Sequence, residues 1–280
     1  MLIGGIRAMK EKSHFFLTDT HAHLASSRFS GAVAGVVARA AASGVERIVS
    51  ISCDVDDTLA NLAIARSHAG VYPTAGIHPG YIHEIDPERW FDDIRRLAAE
   101  PEIVAIGEIG LDYYHPPGDG GSVDSWRQRQ RAVFEQLLQL ALDLRLPVVV
   151  HQRACGGDVM DVLDDFPGVT AVLHCFSGTT AEAERALGRG HYLSYTGVLT
   201  FKNGEEVREA ARLTPLDRVM IETDAPFLAP VPFRGKSSEP AMLEHTARTL
   251  ADLHGLSYEE ICRTTSQNAA TFFGLPPLDA

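Results

Sequence analysis

The chain has 280 residues, 45% of them hydrophobic, so it can bury a sizeable core and disorder of its main body is excluded. Its length suits one large α/β barrel or two ordinary domains. The formal net charge of −12 at pH 7 argues against a protein that grips nucleic acid through a broad basic surface, because such binding needs many Lys and Arg contacts to phosphates.

The amino terminus and the cysteines indicate a cytoplasmic protein without a membrane segment. Residues 1–13 contain only a short apolar stretch, MLIGGI, and are expected to form a flexible leader outside the fold. No later stretch approaches the roughly 18 apolar residues of a membrane span. The cysteines lie far apart without a CxxC pair, so neither a disulfide framework nor a thiolate zinc site is expected.

Eight short runs rich in β-branched or aromatic residues predict strands in chain order. They are HFFLTDTH (14–21), ERIVSIS (46–52), VYPTAGIH (71–78), EIVAIGEIG (102–110), PVVVH (147–151), VTAVLHC (169–175), HYLSYTG (191–197) and DRVMIETD (217–224). Apolar residues three and four apart predict intervening helices. These cover 32–42, 58–68, 90–99, 126–144 and 181–187, with closing helices at 240–254 and 258–273. Asp54 and Asp57 are expected in the start of the second helix.

Apolar strands that alternate with helices indicate a parallel sheet covered on its outer face. Eight such units predict an α/β fold, a TIM (β/α)8 barrel with an additional C-terminal helix, in a single domain over residues 14–280. An open doubly wound sheet is the alternative. It is disfavoured because no Gly-rich phosphate-binding fingerprint follows the first strand.

Six potential metal ligands stand at the ends of these strand-like runs. They are His21, His23, Glu108, His151, His174 and Asp224. Because the carboxyl ends of neighbouring parallel strands meet on one rim, we expect all six at a single site. His21 and His23 are two residues apart, so at the end of an extended strand they point to the same side. A buried core histidine would explain any one of them, but not the whole set.

The ligand types predict two divalent cations. Imidazole and carboxylate without thiolate suit Zn²⁺, Mn²⁺ or Fe²⁺, and Mg²⁺ where carboxylates and waters complete the shell. We expect Glu108 to bridge the ions. One ion would take His21, His23 and Asp224, and the other His151 and His174. Water activated between the ions would attack the substrate, and Asp224 would accept its proton, which gives Asp224 and Glu108 catalytic roles.

Eight motifs in order then resemble the TatD-type family of metal-dependent deoxyribonucleases, a branch of the amidohydrolase-like barrels. They are DTHAHL, GIHPG, AIGEIGLDYY, PVVVH, LHCFSG, TGVLTFK, IETDAPFLAP and RGKSSEPA, and the resemblance covers residues 15–275. It implies a cytoplasmic phosphodiesterase that removes nucleotides from the 3′ ends of single-stranded DNA. Mg²⁺ is the activator expected from the family, with Zn²⁺ or Mn²⁺ as alternatives, and a monomer is expected.

The resemblance also implies substrate-side residues, and it carries over the same six metal ligands. His78 of GIHPG would face the substrate phosphate, with turn capping as its alternative role. Asp112 and Glu222 would lie among the metal ligands or just behind them. Arg153 matches a family Arg close to the site. The segments HQRACGGD and RGKSSEP depart from the usual family pattern on the substrate side.

Other side chains have weaker claims to the site. Lys202, Arg234 and Lys236 are candidate phosphate contacts, with solvated charge or a salt bridge as the alternative. Tyr113, Tyr114 and Phe176 would stack on a nucleobase or pack in the core. Cys175 follows a predicted ligand, so alternation predicts that it turns away into the barrel wall.

Two other functions stay open at this point. The same centre would also suit hydrolysis of an ester or amide in a small molecule, which the acidic net charge favours. A non-catalytic module that holds nucleotides or metal is the other alternative.

Overall fold

The computed structural model describes residues 16–116 and 122–276, and the predicted leader lies outside these ranges. Within them, eight parallel strands alternate with helices. The strands are β1 Leu17–Ala22, β2 Val45–Ser50, β3 Val71–Ala75, β4 Ala105–Asp112, β5 Val148–Arg153, β6 Ala171–Leu173, β7 Tyr192–Tyr195 and β8 Val219–Ile221. The helices are α1 Val33–Ala42, α2 Val55–Ser67, α3 Trp90–Ala98, α4 Val123–Leu144, α5 Asp158–Asp164, α6 Thr180–Gly188, α7 Glu205–Leu213, α8 Leu243–His254 and α9 Tyr258–Phe273. None of these helices is long and apolar enough to cross a membrane.

The two outer strands, β1 and β8, meet and close the sheet into a barrel. The strands follow one another in chain order, and each pairs with the next in parallel. At the carboxyl end, the Asp224 amide donates to the His21 carbonyl at 2.9 Å and the His23 amide donates to the Ala225 carbonyl at 2.7 Å. Ala22 and Ala225 form a parallel bridge there. The predicted TIM barrel is therefore confirmed, and the open doubly wound sheet is excluded.

Strand alternation separates an outer core from the interior of the barrel. In β5, Val148 and Val150 pack in the large core between strands and helices. Val149 packs instead in a second cluster with Val49 and Phe272, which fills the interior at the amino-terminal end. Each fully buried aliphatic side chain contributes about 1.5–3 kcal/mol. Polar residues further along the inward positions are thereby directed to the carboxyl end of the interior.

Local signals set the ends of the helices. The Asp54 side chain accepts a hydrogen bond from the Asp57 amide at 2.8 Å and caps α2, which confirms the prediction for both residues. Ser257 and Glu260 form a reciprocal capping box at the start of α9. Gly255 ends α8 with a left-handed φ of 65°, which glycine adopts without steric cost. Each side-chain cap stabilises its helix by about 1 kcal/mol.

Candidate metal centre

The six predicted ligands converge at the carboxyl end of the barrel. His21 and His151 lie within β1 and β5, while His23 and His174 come directly after β1 and β6. Asp224 lies beyond the end of β8, where a left-handed φ of 54° turns the chain. The turn brings its carboxylate back over the barrel interior, beside His21 and His23.

Glu108 occupies the middle of the cluster, and its two carboxylate oxygens face different groups of imidazoles. Oε2 lies 3.4 Å from His21 Nε2 and 3.8 Å from His23 Nε2. Oε1 lies 2.7 Å from His151 Nδ1 and 2.8 Å from His174 Nε2. One buried carboxylate thus joins two sets of nitrogen donors.

Asp224 completes the first of these sets. Its Oδ1 lies 3.4 Å from His23 Nε2 and 3.7 Å from His21 Nε2. The two sets are close together, because the rings of His21 and His174 stack with centroids 4.0 Å apart. Donor atoms of His21, His23 and Glu108, and likewise of His21, His174 and Asp224, lie within 4.8 Å of one another. Such spacings suit ligands around shared cations.

Glu108 reaches this position because β4 is irregular. It was expected to end the fourth strand, but it lies midway along β4, which continues to Asp112. Pairing with β5 is interrupted between Ile106 and Ile109. Both isoleucines pack in the outer core, whereas Ala105 faces the interior. Strict alternation from Ala105 would have turned Glu108 outward, so the irregularity is what directs its carboxylate inward.

Two further carboxylates orient the imidazoles of the second set. Asp112 Oδ2 lies 3.3 Å from His151 Nε2, and Glu222 Oε1 lies 3.2 Å from His174 Nδ1. Glu222 also accepts a hydrogen bond from the Cys175 amide at 2.7 Å. A carboxylate on the outer ring nitrogen fixes the tautomer and orientation of a metal-binding imidazole. Asp112 and Glu222 therefore lie just behind the predicted ligands.

His78 adopts the turn-capping role that was weighed against contact with the substrate phosphate. Its Nδ1 accepts a hydrogen bond from the Gly80 amide at 2.9 Å and caps the short 3-10 turn Pro79–Tyr81. With that lone pair engaged, the neutral ring carries its proton on Nε2, which lies 3.7 Å from Glu108 Oε1. Burial lowers the pKa of His78 to about 3, so the ring stays neutral. His78 is thus an N–H donor that faces the centre.

Asp19 is a buried residue of the site that the sequence reasoning missed. It accepts hydrogen bonds from the Thr223 amide at 2.9 Å and hydroxyl at 2.6 Å, and from the His21 amide at 3.3 Å. Because Thr223 directly precedes Asp224, these bonds hold Asp224 in place relative to β1. Strand alternation could not have identified Asp19, because the pairing of β1 with β2 shifts register between Asp19 and Ala22.

The donor set fits divalent cations. Burial opposes ionisation of Glu108, but the surrounding imidazoles, His174 foremost, hold its pKa well below the usual value. Burial and the neighbouring His174 lower the pKa of His21, which keeps its ring neutral. The Nε2 atoms of His21 and His23 face each other at 3.3 Å. Two nitrogens directed at one point need a proton or a cation between them, and imidazoles flanked by carboxylates are a donor set that divalent cations accept.

Comparison with known proteins places the chain in a family. Residues 18–274 match the family model described as TatD related DNase. The chain belongs to the TatD family. An uncharacterized metal-dependent hydrolase, YcfH, from Escherichia coli (strain K12) is 37% identical over 263 residues, which are 92% of this chain and 96% of the relative. The 3′-5′ ssDNA/RNA exonuclease TatD from Cronobacter turicensis is 35% identical, over 91% of this chain and 97% of the relative.

The fold agrees with this assignment. The crystal structure of YjjV, a TatD homolog from Escherichia coli K12, superposes with a TM-score of 0.85 at 28% identity, and the match covers 93% of this chain and 98% of that one. This TatD family member is therefore a metal-dependent hydrolase built on a TIM barrel.

The metal centre lies in a pocket of about 850 Å³. Arg153, the last residue of β5, lines this pocket, and its guanidinium lies over the exposed ring of Tyr114 at 4.3 Å. Lys202, Arg234 and Lys236 do not line it. Of the four cations named from the sequence, only Arg153 is placed to meet a ligand in the pocket.

The prediction for Cys175 is wrong, since this residue lines the pocket. A left-handed φ of 43° interrupts the alternation just after β6, and Sγ lies 3.7 Å from Thr196 Oγ1. Phe176 is only 1% exposed and meets Tyr195 edge to face, so it belongs to the core. Tyr113 packs against the start of α4. Of the three candidate stacking rings, Tyr114 is the exposed one.

Proposed function

We propose that this TatD family member is a two-cation phosphodiesterase that removes nucleotides from the 3′ ends of single-stranded DNA. The observation that carries the proposal is the division of the Glu108 carboxylate between two donor sets. One cation would be held by His21, His23 and Asp224, and the other by His151 and His174, with Glu108 shared. A relative named as a 3′-5′ ssDNA/RNA exonuclease is 35% identical along nearly its whole length, and this supports a phosphodiester as the bond that is hydrolysed.

The reaction would combine cation chemistry with groups of the chain itself. Bound divalent cations would supply Lewis acidity, which polarises a phosphoryl oxygen and makes water a stronger acid. Despite burial, the hydrogen bond with His23 lowers the pKa of Asp224, so its carboxylate is ionised and ready to accept a proton from the attacking water. The Nε2–H of His78 would donate to a phosphate oxygen. Arg153 would neutralise charge on the substrate side.

The charge of the pocket favours the end of a DNA strand over a long duplex as the substrate. Asp54, Asp57 and Asp112 line the pocket together with five of the six predicted ligands, and Arg153 is the basic side chain that lines it with them. Duplex binding draws its affinity from many basic contacts, which the net charge of −12 does not supply. A terminal phosphodiester needs only the cations and a few donors.

The second candidate is hydrolysis of an ester or amide in a small molecule. The pocket volume of about 850 Å³ falls within the range of small-molecule sites, roughly 300–1,000 Å³. The same metal centre would serve, and only the substrate would differ.

The test starts from protein stripped of cations with a chelator and reloaded with Mg²⁺ or Mn²⁺. Single-stranded oligonucleotides carry a 5′ label and either a free or a blocked 3′ end. We expect stepwise shortening of the free end, dependent on cation. Asp224→Asn should slow it by about 10²- to 10⁴-fold, the contribution of a general base. The matched control is Asp217→Asn, at the opposite end of β8, whose side chain is 74% exposed; it should keep its activity.

Three results would count against the proposal. Undiminished turnover by folded Asp224→Asn would show that Asp224 is not the general base. Shortening of the oligonucleotide with the blocked 3′ end would show that the enzyme does not act from the 3′ end. Turnover of lactones or cyclic amides without any cutting of the oligonucleotide would establish the second candidate instead.

A further inference from the structure

A second group of metal-binding atoms lies on the outer side of His23. While His23 Nε2 faces Glu108 and Asp224, its Nδ1 lies 3.7 Å from Cys53 Sγ. The Asp57 carboxylate completes the group, and one donor atom from each of the three residues lies within 4.8 Å of the others. A single imidazole therefore separates two clusters of donors.

The backbone holds this outer group in place. Val49 and Ile51 pack in the interior cluster of the barrel, so alternation directs Cys53, two residues further on, to the same side. Asp57 lies in the first turn of α2, and its Oδ2 accepts a hydrogen bond from the Cys53 amide at 3.1 Å. Both side chains line the pocket, which gives an ion access from solvent.

The chemistry of this group differs from that of the Glu108 cluster. A thiolate beside imidazole and carboxylate is a donor set for Zn²⁺ or its heavier analogue Cd²⁺, whereas Mg²⁺ and Mn²⁺ prefer oxygen and imidazole. Three protein donors with an opening to the pocket leave a position for water. The spacing of cysteines along the chain gives no sign of such a site, because its single thiol is combined with donors from α2 and from the residue that follows β1.

We propose that His23 Nδ1, Cys53 Sγ and Asp57 form an inhibitory site for Zn²⁺ or Cd²⁺. Binding would displace the thiol proton of Cys53 and the Nδ1 proton of His23, both released to solvent. The His23 ring would then be an imidazolate shared between this ion and the cation at Nε2. Repulsion between two dications on one ring would weaken the inner cation, so the soft ion would inhibit the hydrolase. Inhibition rests on the proposed function, whereas binding does not.

The experiment titrates Cd²⁺ into protein saturated with Mn²⁺ and follows two signals. The ultraviolet charge-transfer band of a cadmium–thiolate bond reports binding, and Mn²⁺-supported cleavage of an oligonucleotide reports inhibition. Each variant is compared with its own rate without Cd²⁺. Cys53→Ser removes the thiolate. Asp57→Asn removes the carboxylate charge but keeps an acceptor for the Cys53 amide. Cys175→Ser is the matched control, because Cys175 also lines the pocket but belongs to none of the potential metal groups.

Wild-type protein and Cys175→Ser should show the band and lose activity over the same range of Cd²⁺ concentration. Cys53→Ser should lose the band and need at least about tenfold more Cd²⁺ for the same inhibition, and Asp57→Asn should bind more weakly than wild type. A band that persists in Cys53→Ser, vanishes in Cys175→Ser or keeps its wild-type affinity in Asp57→Asn would overturn the site. Equal inhibition of Cys53→Ser and wild type would overturn its inhibitory role. A band without any phosphodiester cleavage would refute the proposed function alone.

Discussion

Replacement of Glu108 by Gln is the most direct perturbation of the metal centre. Glu108 is 2% exposed, and five imidazole nitrogens lie between 2.7 and 3.8 Å from its two oxygens. The substitution removes the negative charge and turns one oxygen into an amide N–H group. Loss of one partner from a buried charge cluster costs about 3–5 kcal/mol. At about 1.4 kcal/mol per factor of ten, cation affinity should fall about a hundredfold to a few thousandfold.

The sharper expectation concerns how the two cations respond. Because one carboxylate faces both donor sets, Glu108→Gln should weaken both cation positions together. Competition between the protein and a chromophoric chelator for Mn²⁺ measures each affinity, and mass spectrometry after gel filtration counts the retained ions. Glu102→Gln, an exposed partner of Arg66 far from the centre, is the control and should bind cations as wild type does.

The reasoning would be refuted if folded Glu108→Gln bound two cations with wild-type affinity. It would also be refuted if only one of the two positions were weakened, because the carboxylate would then serve a single cation. Circular dichroism and the melting temperature establish that the variant is folded.

Three further predictions concern the pocket, the barrel and the pH dependence of stability. Arg153→Ala should raise KM for an oligonucleotide about tenfold and leave cation affinity unchanged, while Lys202→Ala should leave steady-state kinetics at the wild-type level, because only Arg153 lines the pocket. Gly110→Ala should lower the free energy of unfolding by about 1–3 kcal/mol in denaturant titrations, because Gly110 has a φ of 141° and an added Cβ would overlap the His151 carbonyl oxygen. Burial lowers the pKa of His191 to about 4. The unfolded chain therefore binds a proton at His191 more readily than the folded chain does, and the free energy of unfolding decreases as the pH falls from about 6.5 to about 4. This group should account for about 3 kcal/mol of that loss, and His191→Asn should remove it in denaturant titrations at a series of pH values.

Each of these expectations has a plain contrary result. An unchanged KM in Arg153→Ala, or an equal rise in Lys202→Ala, would place substrate phosphate elsewhere. Wild-type stability of Gly110→Ala would mean that β4 and β5 do not pack as closely as described. If His191→Asn retained the full pH slope, other groups would be responsible for it.

The fold could be predicted because its signals are local and repeated. Short apolar runs alternate with segments that have apolar residues three and four apart, and eight repeats of this unit have few ways to bury their faces other than a barrel. The position of His151 also follows from a local rule. Val149 packs inward, and two residues further along a regular strand the chain faces the same way.

The alternation of inward and outward side chains no longer predicts orientation where a strand becomes irregular. Glu108 faces inward only because β4 slips its register between Ile106 and Ile109, and Cys175 enters the pocket only because its backbone adopts a left-handed φ. Both departures depend on how neighbouring strands pack. An alternation rule read along one segment carries no information about them.

The sequence by itself determined the barrel, the rim on which the chemistry lies and the residue types gathered there, because strand period and strand direction are properties of the chain. Only the tertiary structure decided which of these side chains come into contact with one another. The split of Glu108 between two sets of histidines and the meeting of Cys53 with the outer nitrogen of His23 both join residues far apart in sequence. Such contacts are selected by the packing of the whole barrel, since their distances depend on every strand between them.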